Sequence, residues 1–214
     1  MQSHTTDTSI RLLRDCMAAL RSNRPLHMLC LIALFVLVGV SASGASVMYF
    51  ARYVLGDARH FLTIILVTTI FGIAVSLPMV SILVRKIGKR GTFMAGMAIA
   101  SLAKLALYFS PDVDHVVIFA WLAVGAAGST LGMIVMWALE SDTVEYGEWR
   151  TGVRIEGMNY SLFSLTRKCG QALGGSIPAF LLASSAYIPN LANQTPATIR
   201  VMWQSFVLVP AICY

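Results

Sequence analysis

Apolar residues fall in six blocks along this chain, separated by short polar stretches that gather Lys and Arg. The pattern predicts helices over residues 26–53, 61–84, 92–109, 116–139 and 156–182, and a sixth that begins near 198. Blocks of about 20 residues are what an α-helix needs to cross a bilayer. At 1.5 Å rise per residue, the stretch left after 198 falls short of a ~30 Å apolar core, so a truncated last helix is expected. Asn23-Arg24-Pro25 reads as a helix start, because a proline in the first turn gives up an N–H that no helical carbonyl would use. Residues 10–20 are short and amphipathic, with Arg11 and Arg14 on them and Arg21 beside them, which fits an interfacial or linker helix. The expected organisation is a linker over 1–25 and a six-helix transmembrane bundle over 26–214, an all-α membrane protein.

One block breaks the apolar pattern. Wound as a helix, 156–182 places Gly157, Tyr160, Ser161, Ser164, Lys168, Gln171 and Gly175 on one face. Lipid cannot solvate such a stripe, so it should face a bundle interior or a watery cavity. Lys168 is the leading candidate residue, since an isolated charge in lipid costs at least ~2.5–3.5 kcal/mol and is seldom kept without use. Arg167 lies about 100° further round the helix and either shares the cavity or meets a neighbouring helix. No acidic residue lies in the core of the six blocks, so a partner for Lys168 is expected at the loop ends or outside this chain.

Composition agrees with a membrane protein. The chain is 57% hydrophobic and 12% charged, where a soluble domain is about a quarter charged. A net charge of +6 raises the question of nucleic acid, but most of the cations sit in loops that alternate along the chain. Ten fall on one side, in the N-terminal segment and the loops after the second and fourth blocks, against three on the other. That asymmetry places the N-terminus in the cytoplasm. Lys104, within the third block, is expected to snorkel to the interface on its long stem. Arg85-Lys-Ile-Gly-Lys-Arg90 lacks the glycine spacing of a phosphate loop and suits a short turn against anionic lipid. The four Cys and four His are scattered, so neither a disulfide framework, a metal site, a cofactor nor an enzyme's catalytic set is expected.

Two further features bear on mechanism. The segment from Glu140 to Glu156 carries Asp142, Glu145, Glu148, Arg150 and Arg154. It matches no calcium loop, and salt bridges that latch the fourth and fifth helices in one access state are the better reading. Trp137, near the end of the fourth block, can stack on a sugar ring or pack in the interfacial aromatic belt. Gly125, Gly128 and Gly132, and likewise Gly170 and Gly174, have the small-residue spacing of close helix contacts. Pro78, Pro178 and Pro210 should kink their helices.

The run Asp142-Thr-Val-Glu-Tyr-Gly-Glu-Trp-Arg-Thr-Gly-Val-Arg-Ile-Glu-Gly157, followed by Tyr160-Ser161 and Lys168, resembles the signature of the glycoside–pentoside–hexuronide:cation symporters of the major facilitator superfamily. Asn23-Arg-Pro-Leu, Arg52-Tyr-Val-Leu, Met136-Trp-Ala-Leu-Glu and Thr166-Arg-Lys-Cys-Gly-Gln-Ala resemble it too. The resemblance covers nearly all of the chain from about residue 20. It implies helices seven to twelve of a twelve-helix transporter of the bacterial inner membrane, with an N-terminal six-helix half as missing partner. It implies uptake of a glucuronide or related glycoside, coupled to a proton or sodium ion, with the bilayer and the sugar as partners. Lys168 then corresponds to the family's helix-eleven lysine beside the cation site, with Tyr160 and Ser164 along the same wall. An inactive or partner-dependent half-transporter, or a symporter for another glycoside or pentoside, is the alternative.

Overall fold

The computed structural model describes residues 20–110, 113–189, 191 and 194–214, and among these the chain is helix and turn throughout. Apart from Leu20, the amphipathic stretch expected over 10–20 lies outside the described residues. Helix α1 covers Arg24–Tyr49 and continues as a π turn over Phe50–Val54. Its start is the expected one. Asn23 caps it by accepting from the Leu26 N–H at 3.2 Å, while the same side chain donates to the Thr143 carbonyl at 2.8 Å.

Helix α2 covers His60–Tyr108, 49 residues. Straight, it would be about 74 Å long, more than twice the apolar core of a bilayer. It is broken at Gly88, whose φ of 74° and ψ of 171° only glycine adopts without strain. The arms 60–87 and 89–108 then double back along the same stretch of α3, which covers His115–Thr151. Ser76 of the first arm donates to the Ala127 carbonyl at 2.7 Å. On the second arm, a Cβ added to Gly96 would lie 2.8 Å from the Gly128 carbonyl. The two helices expected here are present, joined by one residue where a longer turn was expected.

Helix α3 runs well past the expected end at 139. Met136, Glu140, Thr143, Val144 and Gly147 are buried at helical spacing, so the packed stripe continues across the charged segment. It stops at Gly152, left-handed at φ 68°, whose N–H returns to the Glu148 carbonyl at 2.8 Å. Helix α4, Glu156–Ser184, follows after four residues. The last stretch is α5 over Pro196–Trp203, a π turn over Gln204–Leu208, and α6 over Val209–Cys213. Among the described residues, Arg24–Val54, His60–Tyr108, His115–Thr151 and Pro196–Cys213 are long and apolar enough to cross a membrane. Helix α4 is long enough, but its polar stripe keeps it out of that group.

Small residues set the helix contacts. Gly128 and Gly132 admit Gly96 and Met97 of α2, and Gly170 and Gly174 of α4 lie against the Leu34 and Val38 carbonyls of α1. In lipid, where apolar burial drives little, such close backbone approach supplies the packing. One buried cluster joins Leu26, Leu37, Phe93, Met136 and Phe163 near the Gly88 end. A second joins Phe50, Leu107, Leu122, Trp203 and Phe206 toward the opposite end. Leu62, Leu66, Ile70 and Phe71 of the first α2 arm stay exposed, as a lipid-facing helix requires.

Pro78 and Pro178 lie inside α2 and α4, and the break in α2 falls at Gly88. One expectation about a single residue needs correction. Lys104 does not snorkel. Pro210 has no N–H to give the carbonyl four residues back, that of Phe206. The Lys104 ammonium donates to that carbonyl at 3.0 Å and to Ser43 Oγ at 3.3 Å, and lies 3.9 Å from the Phe206 ring centroid. A lysine stem that finds donors' partners inside the bundle has no reason to reach for the surface.

Candidate functional site

Helix α4 has two faces. Asn159, Phe163, Gly170, Gly174, Pro178 and Leu182 are buried, which turns this side of the helix inward. The opposite side presents the stripe read from the sequence: Tyr160, Ser161, Ser164, Lys168 and Gln171 are all exposed. An open pocket of about 520 Å³ lies between this stripe and α3. Lys168, Arg167, Ser164, Tyr160 and Trp137 line it together, with Glu140, Ser161, Phe163 and Leu165. Gln171, one turn beyond Lys168, is outside it.

Arg167 reaches across to α3. Its guanidinium carbon stands 4.2 Å from the Trp137 ring centroid and 5.9 Å from that of Phe163. The Trp137 ring meets the Phe163 ring edge-on, with centroids 6.0 Å apart. A guanidinium on an indole face is an attractive arrangement, and stronger where water is scarce. Arg167 thus both lines the pocket and faces a neighbouring helix.

Glu140 overturns the expectation that no acid lies inside the helices. It is 1% exposed, and neither carboxylate oxygen has a hydrogen-bond partner. Arg167 Nε is also buried without one, and Arg167 acts on Glu140 through its charge. No ion pair between them is among those formed by the described residues. Sequence reasoning missed Glu140 because the fourth helix was ended at the first charge. The signal was there: Met136, Glu140, Thr143 and Gly147 repeat at three and four residues, the period of the apolar stripe they extend.

The residues read as a latch occupy the Gly88 end of the bundle. They lie mostly on the last turns of α3 rather than in a loop. Asp142 accepts from Lys89 at 2.5 Å, which ties α3 to the second arm of α2. Arg154 binds Glu148 at 2.7 Å and Glu156 at 3.3 Å, joining the end of α3 to the start of α4. Those two carboxylates, Glu148 first, hold the Arg154 pKa above its usual value. Arg150 turns back on its own helix to the Tyr146 hydroxyl at 2.8 Å, and Glu145 is exposed. Only part of the expected set therefore bridges two helices.

A family model described as MFS/sugar transport protein matches residues 2–214. The "Glucuronide carrier protein homolog" of Escherichia coli (strain K12) is 48% identical over 191 residues, 89% of this chain and 42% of that protein. A protein of the same organism named "Putative 2,3-dihydroxypropane-1-sulfonate exporter" is 37% identical over 195 residues, 90% of this chain and 41% of its own length. Its "Inner membrane symporter YicJ" is 30% identical over 187 residues, 86% of this chain and 40% of the relative. The chain spans about two fifths of the length of the curated relatives it matches.

Proposed function

The chain belongs to the MFS/sugar transport protein family, and from that premise we propose that it forms one wall of a symporter for an anionic glycoside of the glucuronide class. The observation that carries the reading is the pairing of Arg167 and Lys168 in one pocket with hydroxyl groups and an aromatic ring. Two cations against the single carboxylate of Glu140 leave an excess positive charge, which favours an acid group on the cargo. Ser161, Ser164 and Tyr160 supply donors and acceptors for sugar hydroxyls, and Trp137 supplies a flat apolar surface. Two of the relatives are named for a glucuronide and a sulfonated polyol, and both cargoes join an acid group to hydroxylated carbon.

The exposed stripe on α4 needs a second wall in a bilayer, and a facing six-helix half is the proposed partner. Transport then proceeds by alternating access in the inner membrane, with the N-terminal side cytoplasmic as the Lys and Arg asymmetry favours. A proton or sodium ion drives accumulation because ion and sugar favour the same access state. The test uses membrane vesicles carrying the intact transporter that contains this chain. Labelled phenyl glucuronide should accumulate, and phenyl glucoside should not. Lys168→Ala should abolish that accumulation with an unchanged amount of protein in the membrane. Normal accumulation by Lys168→Ala, or equal accumulation of the glucoside, overturns the reading.

A further inference from the structure

We infer that Glu140 takes up a proton when an anionic substrate engages Arg167, so that the wall built by α3 and α4 carries its own proton–anion linkage. This rests on the proposed anionic cargo and adds a residue that does the coupling. The starting point is a buried carboxylate with no donor on either oxygen, lining a pocket that also holds two cations. Nothing hydrogen-bonds its charge, so the charge depends on the field of those cations. Arg167 and Lys168 face the pocket from α4, and on α1 the thiol of Cys30 feels the charge of Glu140. On α3 itself the pocket-lining neighbour is Trp137, which carries no charge.

A cargo carboxylate that docks on Arg167 cancels the field that kept Glu140 ionised and places a second negative charge beside it. Two carboxylates sharing one site do not both stay charged when a proton is available. The step is a proton transfer: an O–H bond of a hydronium ion or buffer acid breaks as the Glu140 carboxylate gains the proton and becomes a carboxylic acid, and the conjugate base stays in solution. The pocket carries one net positive charge before and after, so anion and proton enter together without building charge in the membrane. By reciprocity, the cargo binds more tightly where protons are plentiful. Affinity should fall by up to tenfold for each unit of rising pH while the bound state holds one more proton than the free state.

The test is calorimetric titration of the purified intact transporter with p-nitrophenyl glucuronide, in two buffers of different ionisation enthalpy. About one proton should be taken up per glucuronide bound to the wild type. Glu140→Gln should still bind it, with no proton uptake and no pH dependence, and neutral p-nitrophenyl glucoside should bring none in. Glucuronide bound without proton uptake, or uptake retained in Glu140→Gln, overturns the role of Glu140 and leaves the anionic cargo standing. No glucuronide binding by the wild type overturns the cargo reading itself, and the linkage with it. Should Glu140→Gln not fold, infrared difference spectra decide on the wild type and Glu140→Asp. Cargo should raise a protonated-carboxyl band that shifts in Glu140→Asp, and its absence or constancy overturns the inference.

Discussion

Arg167 holds the site together at the scale of single side chains. It stacks on Trp137, acts on Glu140 through its charge and lines the pocket beside Lys168. Removing its charge while keeping a polar, unbranched side chain tests the duties of that charge against a neutral control. Arg167→Gln should weaken binding of an anionic glycoside about tenfold to a hundredfold, about 1.4–2.7 kcal/mol, and leave a neutral glycoside within about twofold. Equal losses for both ligands in equilibrium binding would make Arg167 a packing residue. The two cations were legible in the sequence because charge inside an apolar block stands out. Glu140 was not, because it sits at the border where an apolar block gives way to a charged segment. Only the path of the helix says whether a residue at such a border is inside or outside.

At the scale of elements, α4 turns one face to α1 and the other to the pocket. A Cβ on Gly174 would lie 2.3 Å from the Val38 carbonyl, whereas one on Gly175 would meet nothing within 4 Å. Gly174→Ala should therefore destabilise the protein by about 1–3 kcal/mol, while Gly175→Ala, on the open face, should not. Thermal unfolding in detergent compares the two, and equal midpoints would contradict the packing described. The last helix makes a second case. Lys104→Met takes a donor from the Phe206 carbonyl, at a cost of about 1–3 kcal/mol. Pro210→Ala supplies a backbone N–H four residues on, so the double variant should lose less than the two single effects add up to. Strict additivity would show that proline and lysine do not share that carbonyl. The glycine spacings were visible in the sequence, as was the proline. The lysine's role was not, because its partners Ser43 and Phe206 come from two other helices.

For the whole molecule, the Gly88 end gathers the ion pairs. Lys89–Asp142 is substantially exposed and contributes only about 0–1 kcal/mol of stability, and the Arg154 pairs lie open to solvent, which screens them. Their effect should fall on movement between access states, where small differences shift populations. Lys89→Glu should leave the unfolding midpoint nearly unchanged but slow transport severalfold, and adding Asp142→Lys should restore it. Unaltered transport in the single variant would leave the pair no part in switching. Five helical stretches and the hairpin within α2 follow from spacing along the chain. Apolar runs, cap residues and a glycine between two runs act over a few residues, so a linear reading finds them. The polar stripe of α4 is legible for the same reason, since helical period is local. Which side of that stripe met another helix, which acid lay inside, and which carbonyl a lysine found were decided by tertiary structure. Those contacts join residues far apart in the chain, and they exist only once the helices that carry them have packed together.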